Sequence, residues 1–258
     1  MKAPQQILTV WQKFDDFPME TLTKAWYSTL GSKKRQREIS LMKEHRQQYG
    51  IAGNCFDLAI WLLDEFQKEG IKAYPIGSEI ETKGAHAAVV AVDERGMRYL
   101  CDLGDQWLTP ILLDSHSEDF TDEKLGGYFP GAEVQVIQKK NEVEILYHRP
   151  NGKISQQLYQ LEPIEMSDFL QAAEISQRNI YRKPLLECRV PYKSEIGHWE
   201  FYDWQSYFST TEGLQEEERL NSNVEWAKKI TVMTGYDQKL VEIALEVFAS
   251  LEKKNRSV

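Results

Sequence analysis

The chain has 258 residues, of which 41% are hydrophobic and 28% charged, and its formal net charge is −9. These proportions exclude an intrinsically disordered chain and allow a substantial buried core. The acidic balance argues against a nucleic-acid partner, because non-specific binding to nucleic acid needs a basic surface. No apolar run approaches the roughly 20 residues that span a bilayer, so we also expect no membrane partner.

The cysteine pattern favours free thiols. There are three cysteines, an odd number, and they form no Cys-x-x-Cys pair: Cys55, Cys101 and Cys188. This spacing supports neither a disulfide framework nor a zinc site, so no metal is expected. The first residues also lack the apolar core of an export signal. Together these features predict a soluble, cytoplasmic protein.

The first 50 residues carry apolar side chains at helical spacing, which predicts a helical N-terminal region. Two short helices are expected before Gly31 and a third from about residue 33 to residue 49. The run Lys33–Arg37 is the strongest basic cluster of the chain. We interpret it as a solvated helix start or loop, with a phosphate contact as the alternative of lower prior.

A helix is predicted to begin at Cys55 and to end at Gly70. It is apolar on most sides, so it should be a packed, central element. A thiol at its first residue lies beside unpaired backbone N–H groups and the positive end of the helix dipole. Both favour the thiolate, which is the nucleophilic form. Asp57, in the first turn, is interpreted as a cap or dipole partner.

Alternating apolar residues after Gly70 predict an antiparallel barrel or sheet, and the Asn-Gly pair at 151–152 predicts a hairpin. The expected strands are residues 71–76, 85–92, 97–103, 133–138, 142–149 and 154–161. The acidic, irregular stretch 109–127 is interpreted as a mobile cover. A helix at 166–176, a strand at 185–190 and two C-terminal helices broken at Gly235 should follow.

The hairpin of residues 85–103 fixes a testable register. A three-residue loop at 94–96, closed by Gly96 in the left-handed conformation, would pair Asp93 with Met97. Counting outward places His86 and Asp102 on one face as diagonal neighbours. In this register Asp105 falls on the other face. A two-residue loop would instead separate His86 from Asp102.

Cys55, His86 and Asp102 are therefore candidates for a catalytic triad. A thiolate attacks a carbonyl, an imidazole pairs with it and later protonates the leaving group, and a carboxylate orients the imidazole. The backbone N–H of Cys55 is a candidate oxyanion donor. Taken singly, cysteines in apolar helices and histidines near strands are more often packing residues. We therefore interpret the other two cysteines and the other four histidines as residues without a catalytic role: Cys101, Cys188, His45, His116, His148 and His198.

These segments resemble the transglutaminase-like thiol superfamily and, within it, the arylamine N-acetyltransferases. The resemblance lies in Cys55-Phe56-Asp57, in His86-Ala87-Ala88-Val89 and in Asp102-Leu103-Gly104. Two features differ from the family pattern. Ile51-Ala52-Gly53 stands where the family has Arg-Gly-Gly, and Asp105-Gln106 replaces its Phe-Gly, which places a carboxylate beside the expected acceptor site.

The resemblance implies an α+β fold with three parts. They are an N-terminal helical bundle carrying the nucleophile (1–70), an antiparallel β-barrel (71–163) and a C-terminal α/β to helical region (164–258). It also implies ping-pong acyl transfer. Acetyl-CoA, as co-substrate, would acylate Cys55, and a small-molecule amine acceptor would then take the acyl group, with His86 as base and acid and Asp102 as orienter.

Two other functions remain open on the sequence. A transglutaminase-like amidase or peptidase would use the same triad, with water or a lysine amine resolving the acyl-enzyme. A catalytically inactive binding protein could keep the same fold. The surroundings of Cys55 distinguish these functions.

Overall fold

Helices and strands both contribute to the described residues 1–80, 82 and 84–256 of the computed structural model. The helices are α1 (Gln5–Trp11), α2 (Leu22–Ser28), α3 (Ile39–Tyr49), α4 (Cys55–Lys68), α5 (Met166–Arg178), α6 (Asn223–Thr234) and α7 (Gln238–Arg256), with a 3-10 turn at Gln12–Phe14. The strands are β1 (Met19–Glu20), β2 (Lys72–Ser78), β3 (His86–Val92), β4 (Arg98–Cys101), β5 (Ile111–Leu112), β6 (Leu125–Phe129), β7 (Ala132–Gln138), β8 (Glu142–His148), β9 (Ile154–Gln160), β10 (Leu185–Tyr192), β11 (Glu195–Tyr202), β12 (Gln205–Thr210) and β13 (Gly213–Glu216).

Eight strands form a nearly closed antiparallel barrel in the order β5-β4-β3-β2-β9-β8-β7-β6. The six strands expected between residues 71 and 161 are all present. The stretch 109–127 is mostly irregular, as expected, but it also contains β5 and the start of β6. Residues 81 and 83 of the predicted barrel segment, and 257 and 258 of the predicted C-terminal segment, lie outside the described residues.

A second, five-stranded antiparallel sheet has the order β1-β10-β11-β12-β13. Only β10 was predicted. The aromatic stretch 198–208 forms β11 and β12, and its side chains Trp199 and Phe201 are buried against α6 and α7. The two C-terminal helices are separated by Gly235 in the left-handed conformation (φ 74°), as predicted.

The apolar residues form two clusters. One lies between α4, α1 and the barrel, and the other joins α2 to the second sheet, α6 and α7. Side chains from the first 52 residues belong to both clusters. The helix that begins at Cys55 packs against β2 and β3 of the barrel and against α5 of the C-terminal region. These features confirm the α+β fold with a helical N-terminus, whereas the three-part division at 70 and 163 stays a prediction. No helix within the described ranges is long and apolar enough to cross a membrane.

The basic run Lys33–Arg37 differs from its prediction. The third helix begins at Ile39, not near residue 33, and the side chains of Gln36 and Arg37 are buried rather than solvated. The backbone N–H groups of Arg35 and Gln36 donate to the carboxylate of Glu174 on α5 (2.9 and 2.7 Å to Oε2). Lys33 and Lys34 are exposed in a loop, as predicted, whereas Gln36 and Arg37 pack between α4 and α5.

The carboxylate of Asp57 holds these segments together. It accepts hydrogen bonds from Gln36 Nε2 (2.9 Å) and from Gln177 Nε2 of α5 (2.8 Å), and it forms an ion pair with Arg37 (3.3 Å). The Asp57 and Arg37 side chains are each 2% exposed. A buried charge is tolerated when it is paired and hydrogen-bonded, so each partner depends on the other. The prediction of Asp57 as a cap was correct but omitted this role.

We expect Asp57→Asn to lower the free energy of unfolding by about 3 kcal/mol, because it leaves the Arg37 charge buried without its partner. Urea denaturation followed by circular dichroism measures this change. Asp16→Asn is the matched control. Asp16 also pairs with an arginine, Arg46 at 2.8 Å, but its side chain is 80% exposed, so the loss should stay below about 1 kcal/mol. Equal losses in the two variants would contradict the proposed anchoring role.

Candidate active site

Cys55 is the first residue of α4, as predicted. The N-cap is Asn54, whose side chain accepts hydrogen bonds from the backbone N–H groups of Phe56 (3.1 Å) and Asp57 (3.2 Å). Asp57 in turn accepts from the Asn54 backbone N–H, which completes a capping box. The helix start is therefore fixed by local hydrogen bonds, and the partly exposed Cys55 thiol lies at the positive end of the helix.

The loop before Cys55 is held by two distant residues. Arg37 donates to the Ala52 carbonyl (2.5 Å), and the Ala52 N–H donates to the hydroxyl of Tyr236 (2.9 Å). Gly53 has φ 148°, and a Cβ there would lie 2.2 Å from Asp57 Oδ2, so only glycine fits. Arg37 thus provides a guanidinium beside the nucleophile helix, although no arginine precedes Cys55 directly in the sequence.

The hairpin of β3 and β4 has the predicted register. Asp93 N–H donates to the Met97 carbonyl (2.9 Å), and Gly96 has φ 82°. The ladder pairs Val92 with Arg98 and runs on to the pair of Val89 with Cys101. His86 and Asp102 consequently lie on one face, with His86 Nε2 2.6 Å from Asp102 Oδ2.

The Asp102 carboxylate is fully buried and hydrogen-bonded on both oxygens. Oδ2 accepts from the His86 ring and from the Tyr159 hydroxyl (2.5 Å), and Oδ1 accepts from the Asp105 backbone N–H (3.0 Å). Because a carboxylate only accepts, His86 carries its proton on Nε2, which leaves Nδ1 for the thiol. Tyr159 was missed by the sequence reasoning, since a tyrosine in a barrel strand gives no signal of this contact.

Gly104 marks the point where the three residues meet. A Cβ on Gly104 would lie 2.7 Å from Cys55 Cβ, 2.8 Å from His86 Cε1 and 3.1 Å from Asp102 Oδ1. These distances show that Cys55 and His86 approach the same point from different elements. The structure therefore brings the three predicted residues together.

The electrostatics of His86 favour the imidazolium. Burial alone would lower the pKa of His86. The charge of Asp102 and the hydrogen bonds to Asp102 and Cys55 outweigh burial and raise that pKa well above the usual value. A protonated imidazole next to a thiol is the partner that stabilises a thiolate.

The prediction that Asp105 lies on the opposite face was wrong. The β4 strand ends at Cys101, and the chain then turns, with the Trp107 N–H donating to the Asp102 carbonyl (3.2 Å). The turn brings Asp105 back to the site, where its Oδ2 accepts from the Tyr147 hydroxyl (2.5 Å). Burial, together with the nearby charge of Asp102, raises the pKa of Asp105 to about 6, although His86 opposes the change.

His86, Asp102 and Asp105 could in principle ligate a metal, because one potential ligand atom from each lies within 4.8 Å of the others. However, protein hydrogen bonds already occupy these potential ligand atoms. Asp102 Oδ2 is shared by His86 and Tyr159, and Asp105 Oδ2 bonds to Tyr147. The cluster is satisfied as a hydrogen-bonded network within the candidate active site.

The other candidate residues lie away from the thiol. Cys101 and Cys188 are buried in β4 and β10, and burial raises the pKa of both thiols, that of Cys188 to about 12. His45 is packed among aromatic rings near Arg37. His198 is buried in β11 beside Glu187.

Comparison with solved structures places the fold among the arylamine N-acetyltransferases. The enzyme from Mycobacterium smegmatis superposes with a TM-score of 0.70 at 11% identity, covering 96% of this chain and 92% of the other. The enzyme from Salmonella typhimurium gives 0.68 at 15% identity, covering 91% and 86%. The Mycobacterium marinum enzyme in complex with CoA gives 0.65 at 9% identity, covering 92% and 89%. No protein-family model and no curated protein sequence matches the chain.

The chain thus has the arylamine N-acetyltransferase fold over nearly its full length. Because the superposition covers 96% of the chain, the likeness includes most of the C-terminal region (164–258). At 9–15% identity these neighbours define the architecture, and the chemistry must be argued from the chain's own residues.

We expect Gly104→Ala to slow attack of the Cys55 thiol on an activated ester about a hundredfold. The added Cβ would displace Cys55 or His86, and a shift on the order of 1 Å has such an effect on catalytic geometry. Release of nitrophenol from 4-nitrophenyl acetate measures the rate. The control is Gly126→Ala, since a Cβ on Gly126 has no neighbour within 4 Å. A normal rate in a folded Gly104→Ala variant would refute the convergence of the three residues there.

We expect Asp105→Asn to stabilise the protein in a pH-dependent way. Because the pKa of Asp105 is raised in the folded state to about 6, ionisation costs stability as the pH rises from about 4 to above 6. The variant cannot ionise and keeps an acceptor for Tyr147. Its gain should be near zero at pH 4 and about 2 kcal/mol at pH 8.

Urea denaturation at both pH values measures this difference, with the exposed Asp122→Asn as the matched control. A gain that is equal at pH 4 and pH 8 would show that Asp105 titrates normally.

Proposed function

We propose that this protein is a cysteine-dependent acyltransferase that passes an acetyl or related acyl group from a CoA thioester to a small-molecule amine by a ping-pong mechanism. The observation that carries the proposal is the convergence of Cys55 and His86 on Gly104, with Asp102 hydrogen-bonded behind His86. The same fold in arylamine N-acetyltransferases supports the reaction class.

In the first half-reaction, the Cys55 thiolate attacks the thioester carbonyl carbon and a tetrahedral intermediate forms. The C–S bond to CoA then breaks, the CoA sulfur leaves and His86 supplies its proton. In the second half-reaction, a neutral amine attacks the acetyl-Cys55 carbonyl and the C–N bond forms. The amine proton passes to His86, and the C–S bond to Cys55 breaks to restore the thiolate.

Asp102 acts as a positioning residue in this proposal. Its bond to Nε2 keeps Nδ1 directed at sulfur and stabilises the imidazolium. Tyr159 and the Asp105 N–H hold the carboxylate itself in place. Since these donors are already arranged in the folded protein, the catalytic step requires no reorganisation of Asp102.

Acetyl-CoA is the proposed acyl donor. One neighbour of the same fold was solved in complex with CoA. The chain's own residues fit such a donor. A cavity of about 370 Å³ is lined by Ala85, which precedes His86 in the chain, and by Ser176, which contacts Asn54, the residue before Cys55. Arg178 also lines it; its guanidinium pairs with Glu174 (2.6 Å), but its side chain is 56% exposed and within reach of a phosphate group. We further propose a cytoplasmic location, where a thiol nucleophile stays reduced.

Intact mass spectrometry after incubation with acetyl-CoA tests the proposal. We expect one acetyl group on Cys55, which is lost when 4-methylaniline is added and its N-acetyl product appears. Cys55→Ala should form no adduct. Asp102→Asn should slow acylation on the order of a thousandfold, since the carboxylate that sets the His86 tautomer is gone.

Cys188→Ala, which removes a buried thiol, serves as the control and should still be acetylated. Full activity in Asp102→Asn would refute its assigned role. An adduct that water removes as fast as amines do would favour the amidase alternative. Absence of an adduct from either acetyl-CoA or 4-nitrophenyl acetate would favour the inactive binding protein.

A further inference from the structure

A second cavity, of about 190 Å³, adjoins the triad on the side of Asp105. It lies between the barrel and the C-terminal sheet. The barrel contributes Tyr147 and Arg149, and the C-terminal sheet contributes Glu187, His198 and Glu200. The cavity is thus polar, and its acidic groups come from three separate parts of the chain.

Without a cation, the acidic groups that line this cavity repel one another. Glu187 and Glu200 are directly opposed in the antiparallel pair of β10 and β11, and like charges in that position destabilise a sheet. Burial, and secondarily the charge of Glu187, raises the pKa of Glu200. The charge of Glu187 also acts on Asp105. The three carboxylates therefore share one electrostatic environment.

The positive groups nearby compensate this charge only in part. Arg149 is the one guanidinium in the cavity wall among the described residues, and it lies 5.7 Å from the centre of the Phe129 ring. The charges of His198, Arg149 and Lys153 each oppose the rise in the pKa of Glu200. The lining thus sets three carboxylates against one guanidinium and one imidazole, an acidic excess that attracts cations.

His198 supplies an independent indication of a ligand. Its side chain is 7% exposed, and its buried Nε2 has no hydrogen-bond partner in the described structure. The nearest acceptor, Glu187 Oε2, is 3.6 Å away, beyond hydrogen-bond distance. A buried polar atom that lacks a partner costs stability, so its presence in a cavity wall is typical of a site that receives a polar group.

Asp105 connects the cavity to the proposed reaction. It lines the cavity, and its carboxylate lies within 4.8 Å of ligand atoms of His86 and Asp102. The preceding residue, Gly104, lies against Cys55. Two consecutive residues, Gly104 and Asp105, thus lie against Cys55 and in the cavity wall respectively.

We propose that this cavity selects the acceptor, and that the preferred acceptor is an amine carrying a second, protonated amino group. The inference rests on the proposed acyl transfer. The neutral amine attacks acetyl-Cys55, with the C–N bond forming and the C–S bond breaking as its proton moves to His86. The second amino group stays protonated throughout the acyl transfer. It forms ion pairs with Glu187 and Glu200 and donates hydrogen bonds to their carboxylates.

Two matched aromatic amines test the proposal: 4-(aminomethyl)aniline, whose aminomethyl group is protonated at neutral pH, and 4-methylaniline, which is uncharged. Acetyl-Cys55 is prepared with 4-nitrophenyl acetate, and its loss is followed by mass spectrometry with each amine. We expect the charged amine to react about tenfold or more faster at equal subsaturating concentration, because hydrogen bonds to charged groups contribute at least that factor.

The variant Glu187→Gln/Glu200→Gln should bring the ratio of the two rates close to one. Glu246→Gln makes the same change of net charge at an exposed position of α7, which packs against the opposite face of the second sheet, and should keep the wild-type ratio. If the double variant fails to fold, Glu187→Gln alone should still reduce the ratio severalfold. A wild-type ratio near one, or a ratio unchanged in the folded variants, overturns the inference.

Calorimetric titration of the unacylated protein with both amines separates this inference from the proposed function. If no acetyl-enzyme forms, the acyltransfer proposal fails, but tighter binding of the charged amine that is lost in Glu187→Gln/Glu200→Gln still supports a cation site. If acetyl-enzyme forms and neither binding nor rate distinguishes the amines, the cation site is refuted and the acyltransfer proposal stands.

Discussion

The buried carboxylate of Asp57 is the constraint on which the candidate site depends. It caps the helix that begins at Cys55, pairs with Arg37 and accepts from Gln36 and Gln177. A charge removed from water must be satisfied by several partners at once, so this one group fixes α4, α5 and the segment before α3 relative to each other. The thiol at the start of α4 is positioned as a result. Gly53 is required there because any side chain would occupy the space of Asp57 Oδ2.

The second constraint is the register of the β3–β4 hairpin, which aligns His86 with Asp102. Strand pairing carries the two residues to one face, and the end of β4 at Cys101 lets the next residues turn back toward the thiol. Asp102 therefore meets Tyr159 of β9, and Gly104 lies so close to Cys55 and His86 that a side chain there would collide with both. The same turn carries Asp105 into the site, so the local geometry that supports an acyl-transfer mechanism also adds a second carboxylate to it.

The C-terminal region contributes to the site in two ways. Tyr236 accepts from the backbone of Ala52 and so supports the loop before Cys55. The second sheet presents Glu187, His198 and Glu200 to the cavity beside Asp105. Arylamine N-acetyltransferases share this architecture at 9–15% identity, and the acidic character of the cavity comes from this chain's own side chains. The fold is thus the shared feature, whereas the proposed reaction and the proposed choice of acceptor rest on this chain's own residues.

Local patterns in the sequence were enough to predict much of this protein. Helical periodicity and a polar cap predicted the helix at Cys55, and a three-residue loop with Gly96 predicted the register of His86 and Asp102, because both depend on neighbours within a few residues. Most barrel strands followed from the same kind of pattern, whereas the three-part α+β fold with its barrel was implied by the resemblance to the arylamine N-acetyltransferases. The interpretation of Lys33–Arg37 as a solvated segment holds for Lys33 and Lys34 but was wrong for Gln36 and Arg37, since their pairing with Asp57 and Glu174 depends on segments distant in sequence.

Only the tertiary structure decided how the chain continues after Asp102 and what surrounds the thiol. The strand ends at Cys101, two residues before its predicted end at residue 103, which is why Asp105 was assigned to the wrong face. Tyr159, Tyr236, Glu187 and His198 join the site from elements more than 50 residues away in sequence from Asp102 or Cys55, and no local spacing encodes such contacts. The sequence by itself determined the helix that begins at Cys55 and the hairpin that faces it. Packing between the barrel and the C-terminal sheet determined the charge around them, because electrostatic environments depend on distance in space and not on distance along the chain.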